Sequence, residues 1–202
     1  MKKTKKILAL ALAAVMLVCT TVAATVAYLQ STDSVTNTFT VGSVEILLDE
    51  KDTDGSQTNV TPGSNPVRDK ANAYKLYPGK SYEKDPTVTV KGTEEAWLFV
   101  KVENGLVDIE AAGNTTIAKQ MEAKGWTLVD GETNVFAYST SVLPGAKPVV
   151  FETFTIADTV TNVQLAPYKD AKIIVTAYAV QKEMFSTAQA AWDATFGAPV
   201  AP

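Results

Sequence analysis

From residue 96 to residue 102 the chain alternates two apolar series: Ala96, Leu98, Val100 and Val102 on one phase, Trp97, Phe99 and Lys101 on the other. Successive side chains of a strand point to opposite faces, so a run that is largely apolar on both phases must be covered on both sides, as near the centre of a layered β protein. Further runs that read as strands occur at 44–48, 86–90, 126–129, 135–139, 149–156 and 172–180. Together they make about seven or eight strands, and the spacing predicts an all-β antiparallel sandwich.

Two turns with the same residues punctuate these runs. Leu76-Tyr77-Pro78-Gly79-Lys80 precedes the strand at 86–90, and Leu143-Pro144-Gly145-Ala146-Lys147 precedes the strand at 149–156. Proline presets φ at the second position of a type II turn and glycine accepts the positive φ at the third, so each stretch redirects the chain into a new strand. Two short helices are predicted as well. One covers about 116–124, with Asn114 or Thr115 as N-cap and Gly125 ending it. The other begins at Ser186, where Gln189 has the spacing of a capping box, and lines Phe185, Ala188, Trp192 and Phe196 on one face. Trp192 and Phe196 then read as core anchors that tie down the end of the chain.

The first residues carry a different signal. Lys2, Lys3, Lys5 and Lys6 precede an apolar run from Ile7 to Val18, with small residues following at Ala23, Ala24 and Ala27. This is the layout of a secretory signal peptide covering 1–27. Small residues at Thr25 and Ala27 favour cleavage between Ala27 and Tyr28, while Val22 and Ala24 would place it before Thr25. An uncleaved membrane anchor is the alternative, since 7–29 is long enough to span about 30 Å of hydrocarbon.

Cleavage removes four of the 18 basic residues and none of the 22 acidic ones, leaving 14 against 22 and a formal charge of −8 on residues 28–202. Such a balance argues against nucleic acid or an anionic membrane as partner. The mature chain suits one domain with its own core. Its only cysteine, Cys19, leaves with the signal, so packing and hydrogen bonds must hold the fold without disulfides. The sequence contains no histidine. That excludes Ser-His-Asp and Cys-His nucleophilic devices and every histidine-based zinc site. No catalytic, cofactor-binding or metal site is signposted, and the chain reads as a non-enzyme.

Val35, Phe39 and Val41 share one phase of a further half-buried strand, opposite Thr36, Thr38 and Thr40. After Gly42 the phase reverses, because Val44, Ile46 and Leu48 carry the apolar side. One strand cannot keep both sets on one face unless Gly42 makes a bulge or a break. Residues 49–72 then turn polar, with Gly55, Pro62, Gly63 and Pro66 as breakers, and read as a long surface loop. Within it Glu50, Asp52, Asp54 and Gly55 imitate the start of a calcium loop, but Thr61 stands where a bidentate glutamate belongs, which favours a solvated acidic turn.

The stretch TVAYLQSTDSVTNTFTVGSVEI, followed by Leu76-Tyr77-Pro78-Gly79-Lys80, the run 84–90, the strand 96–104 and the tail 176–196, resembles the TasA and camelysin family of exported proteins. The order of these motifs carries the resemblance more than any one of them. It implies a jelly-roll-like sandwich, a signal removed by a dedicated signal peptidase, and a secreted subunit of extracellular fibres or biofilm matrix at the bacterial cell surface. Its partners would be copies of itself or related matrix subunits, with membrane contact only before cleavage. In that setting residues 28–41 are a candidate donor strand, with Val35, Phe39 and Val41 as the inserted side. Camelysin relatives are described as surface metalloproteases, and a monomeric adhesin or binding module is a further alternative on the same fold.

Overall fold

A computed structural model describes Lys3 and residues 41–57 and 59–197. The chain divides into Met1–Thr40 and Val41–Pro202, and the second unit is the subject from here on. Ala27, Tyr28, Val35 and Phe39, with the signal peptide and most of the candidate donor strand, lie outside the described residues.

Among the described residues nine strands form antiparallel pairs: β1 (Ile46–Lys51), β2 (Arg68–Asp69), β3 (Ser81–Glu83), β4 (Thr87–Val90), β5 (Ala96–Asn104), β6 (Trp126–Leu128), β7 (Val135–Tyr138), β8 (Thr153–Thr155) and β9 (Ile173–Gln181). They are arranged as β2-β1-β4, β3-β8 and β6-β7-β5-β9. Residues 41–197 are thus mostly β, and among those described they hold three short helices, α1 (Ile117–Ala123), α2 (Asn162–Leu165) and α3 (Ala188–Thr195), where two were expected.

A single long ribbon underlies this pattern. Tyr82 pairs with Phe154, Thr87 bridges Val149 and Val100 pairs with Phe136, so the partners' residue numbers have the same total on both sides of the corner, while just past it the bridge between Ala96 and Val142 is offset locally. Residues 81–104 therefore run along 135–155 as one hairpin. It turns a corner at 91–95, where the opposing strand carries the turn at Gly145, whose φ is +90° and whose neighbour Ala146 N–H donates to Leu143 O at 3.1 Å. The matching turn at Gly79, φ +69°, opens the ribbon, with Lys80 N–H donating to Tyr77 O at 3.3 Å. Both turns have the geometry that the Pro-Gly pairs prescribe.

Folding at the corner brings the two halves of the ribbon around one core. Val88, Val90 and Phe154 from one half share a core with Leu98 and Val100 from the other, and Trp126 of β6 joins it. The second phase of β5 fills a separate cluster, in which Trp97, Phe99 and Val180 pack under α3 with Ala191 and Trp192. Both faces of β5 are thus covered, as its sequence requires. Phe196 extends this cluster with its ring tilted against Trp192 at 4.7 Å and Tyr178 at 5.2 Å, although it stays partly exposed.

Several boundaries depart from expectation. Residues 41–45 are not strand; the reversal at Gly42 is a break. β1 starts later than 44 and continues to Lys51, and β2 pairs with its end, Glu50 opposite Asp69, so the stretch 49–72 is not one loop but an excursion closed by two paired strands. Thr116, not Asn114 or Thr115, caps α1 by accepting from Lys119 N–H. The capping box expected at Ser186 does not form: Thr187 caps α3, and Gln189 instead accepts from Asp130 N–H at 3.0 Å. A complete capping box occurs instead at Thr161 and Gln164 on α2. The run 149–156 has only Thr153–Thr155 as regular strand, because Pro148 cannot donate and the pairing of 145–150 with β4 is carried by isolated bonds.

Candidate functional site

On the ribbon's other edge, opposite 135–155, β1 flanks β4 and β9 flanks β5. Ile46 sits opposite Val90 beside the corner and Asp49 opposite Thr87, so β1 runs away from the corner. Gln181 sits opposite Ala96 and Ile173 opposite Asn104, so β9 runs toward it. The two strands face each other across the fold in opposite directions.

Between them lies a groove of about 800 Å³ lined by residues 46–50 of β1 and 173–177 of β9. Its floor is apolar. Ile46, Leu48, Leu76, Ile173, Val175 and Ala177 all pack against the central core and remain only partly buried. Its walls are strand edges: β9 ends its sheet, and β2 pairs with β1 only at Glu50 and Lys51, leaving 46–49 without a strand on that side among the described residues. Unpaired backbone N–H and C=O groups beside apolar side chains are what an extended peptide needs to bind by strand addition.

The end of the groove away from the corner is polar. Lys84 Nζ and Glu50 Oε2 form an ion pair with both side chains nearly buried, and Asn72 Nδ2 donates to Glu50 Oε1 and to Lys51 O, each at 2.9 Å. Beside it, Arg68 closes the excursion onto the sheet. Its guanidinium donates to Asp49 Oδ1 at 2.6 Å, Asp85 Oδ2 at 2.9 Å and Thr87 Oγ1 at 2.9 Å. Tyr74 seals the adjoining wall by donating its hydroxyl to Glu83 O at 3.0 Å, and burial pushes that phenol well above its ordinary range.

Carboxylates also gather here. Oxygens of Asp52, Asp54 and Asp69 lie within 4.8 Å of one another, the arrangement of a hard-cation ligand set. The spacing of Glu50, Asp52 and Asp54 imitates a calcium loop but favours a solvated acidic turn; in the structure Glu50 turns toward Lys84, and Asp69 joins Asp52 and Asp54 instead. Asp69 comes from β2, so only the pairing of β1 with β2 could have revealed it. Burial raises the Asp69 pKa; Ala71 N–H opposes the rise, and the charges on Asp52, Glu50 and Asp54 add to it. Asp54 is held below its ordinary value by N–H bonds from Ala73 and Ser56.

The base of the N-terminal segment is fixed at the corner. Ser43 O accepts from Thr93 N–H at 2.8 Å and Glu94 N–H at 3.3 Å, and Glu45 O accepts from Lys91 N–H at 2.8 Å. A Cβ on Gly92 would stand 2.2 Å from Ser43 O, so only glycine allows this approach. Val41, one of the three expected donor side chains, is 98% exposed at the start of this unit. No family model, curated protein or solved structure gives a significant match to the chain.

Proposed function

We propose that this protein is an exported structural subunit that assembles by strand donation: residues 28–41 of one copy occupy the β1–β9 groove of another, in a jelly-roll-like sandwich. The observation that carries this reading is the groove itself, apolar along its floor and bordered on both sides by strand edges without partners. Val35 and Phe39 supply the apolar phase of the incoming strand. Burying the three donor side chains Val35, Phe39 and Val41 contributes about 5 kcal/mol, at roughly 1.5–3 kcal/mol each and before ordering costs. Signal cleavage between Ala27 and Tyr28 would then release the donor segment and switch assembly on outside the cell, in a fibre or biofilm matrix. Phe39→Asp in a chain of residues 28–202 tests the assignment. The variant stays monomeric by light scattering where the parent grows; equal growth of both removes Phe39 from the donor role.

A further inference from the structure

We infer that the side chains of Lys84 and Asn72 become joined by an amide bond, formed by the folded chain itself with Glu50 moving the protons. This goes beyond the assembly reading and does not depend on it. Three groups of the required kinds meet at the polar end of the groove. Glu50 Oε2 pairs with Lys84 Nζ, and Glu50 Oε1 accepts from Asn72 Nδ2 at 2.9 Å. One carboxylate thus holds an amine on one oxygen and a carboxamide on the other. Only 7% of the Glu50 side chain and 11% of the Lys84 side chain are exposed, so water competes little for either. A nearly buried ion pair contributes little to stability once desolvation is counted. An amine held beside a base and away from water, by contrast, is the arrangement of an activated lysine nucleophile.

Asn72 is positioned for attack at its carbonyl carbon. Its Oδ1 accepts from Thr53 N–H at 2.7 Å and from the Thr53 hydroxyl at 3.0 Å, two donors on the oxygen where negative charge develops as an amine adds. Its Nδ2 also donates to Lys51 O at 2.9 Å, which fixes the orientation of the amide. Lys84 is set from the other side, where its backbone N–H donates to Glu152 O at 2.9 Å. The reacting groups come from β1, the segment after β2 and the link between β3 and β4, so only the folded chain brings them together.

Lys84 gives a proton to Glu50, and the freed amine adds to Cγ of Asn72 while Thr53 holds the oxyanion. Glu50 then delivers the proton to Nδ2, which its Oε1 already contacts; the Cγ–Nδ2 bond breaks as the Cγ–Nζ bond is completed. One ammonium and one carboxamide become a secondary amide and a departing ammonium ion, and nothing is oxidised or reduced. The bond ties the end of the polar excursion to the start of β4, in a chain whose residues 28–202 hold no cysteine for a disulfide.

Peptide mapping of the full chain tests this. Trypsin cuts after lysine, but not after a lysine whose side chain is an amide. The inference predicts residues 71–75 joined to an uncut 81–91, lighter than the two peptides together by one ammonia. Fragmentation should place the link between Asn72 and Lys84. Glu50→Gln should abolish the joined species, as should Lys84→Arg, which keeps a cation opposite Glu50 and so preserves the fold. Separate peptides from the parent, with cleavage after Lys84, overturn the inference. So does a loss of ammonia that persists in Lys84→Arg, since that marks cyclisation at an asparagine such as Asn104, which precedes Gly105. A joined species that forms equally in Glu50→Gln removes Glu50 from the proton transfers.

Discussion

Arg68 Nε donates to Asp49 Oδ1 at 2.6 Å, with the aspartate side chain 4% and the arginine side chain 20% exposed. Through that pair the polar excursion between β1 and β2 becomes part of the sheet. The same guanidinium also reaches Asp85 and Thr87, so it ties β1 and the start of β4 to β2. Removing one partner of a nearly buried pair leaves the other charge uncompensated, at a cost of about 3 kcal/mol. Arg68→Ala is therefore expected to lower stability by about that amount in urea unfolding. Arg68→Lys should recover only part of it, because an ammonium lacks the guanidinium's fork.

Trp192 holds the C-terminal helix against the sheet. Its ring lies 5.1 Å from Phe99, and Nε1 donates to Glu132 Oε1 at 3.1 Å. Trp192→Ala is expected to cost about 3–5 kcal/mol, read from the denaturation midpoint. The central core, which does not include this residue, should keep the near-ultraviolet signal of Trp126.

Asp69 gives stability a pH dependence of known sign. Burial raises its pKa in the folded state, so folding favours the protonated form. At pH values below the unfolded pKa, about 4, both states are protonated and there is no penalty; as pH rises through the higher folded value the penalty develops fully. Asp69→Asn keeps an acceptor for Ala71 N–H but has no charge to bury. Its urea midpoint should exceed that of the parent at about pH 7, with the difference shrinking toward zero as the solution is acidified. A difference that grows on acidification would contradict the raised value.

Gly92→Ala places a methyl against the backbone oxygen of Ser43. The clash cannot be relieved by a side-chain rotation, so about 2 kcal/mol of destabilisation is expected. The bonds that fix residues 43–45 at the corner should open, and limited proteolysis near Ser43 should become faster than in the parent.

What the sequence disclosed follows from which forces act locally. The alternation in β5, with Trp97 and Phe99 opposite Leu98 and Val100, required two covered faces, and the fold supplies the central core and the α3 cluster. The Pro-Gly turns at Gly79 and Gly145 were equally legible, because positive φ is a local demand. The continuation of β1 through Asp49, Glu50 and Lys51 was hidden, since Asp49 and Glu50 are buried by Arg68, Lys84 and Asn72 and not by apolar periodicity. Asp69 was invisible as a neighbour of Asp52 for the same reason. The groove could not be read at all, because it exists only where β1 and β9, remote in sequence, flank the two halves of one folded ribbon.

The most direct test of strand donation uses residues 28–202 and the same chain lacking 28–41, followed by light scattering over time with electron microscopy of large species. The account predicts thin filaments from the first chain and monomers from the second. A synthetic peptide of residues 28–41 should bind the groove of the second chain and leave it monomeric. Monomers from both chains, or filaments from both, would contradict assembly through this segment.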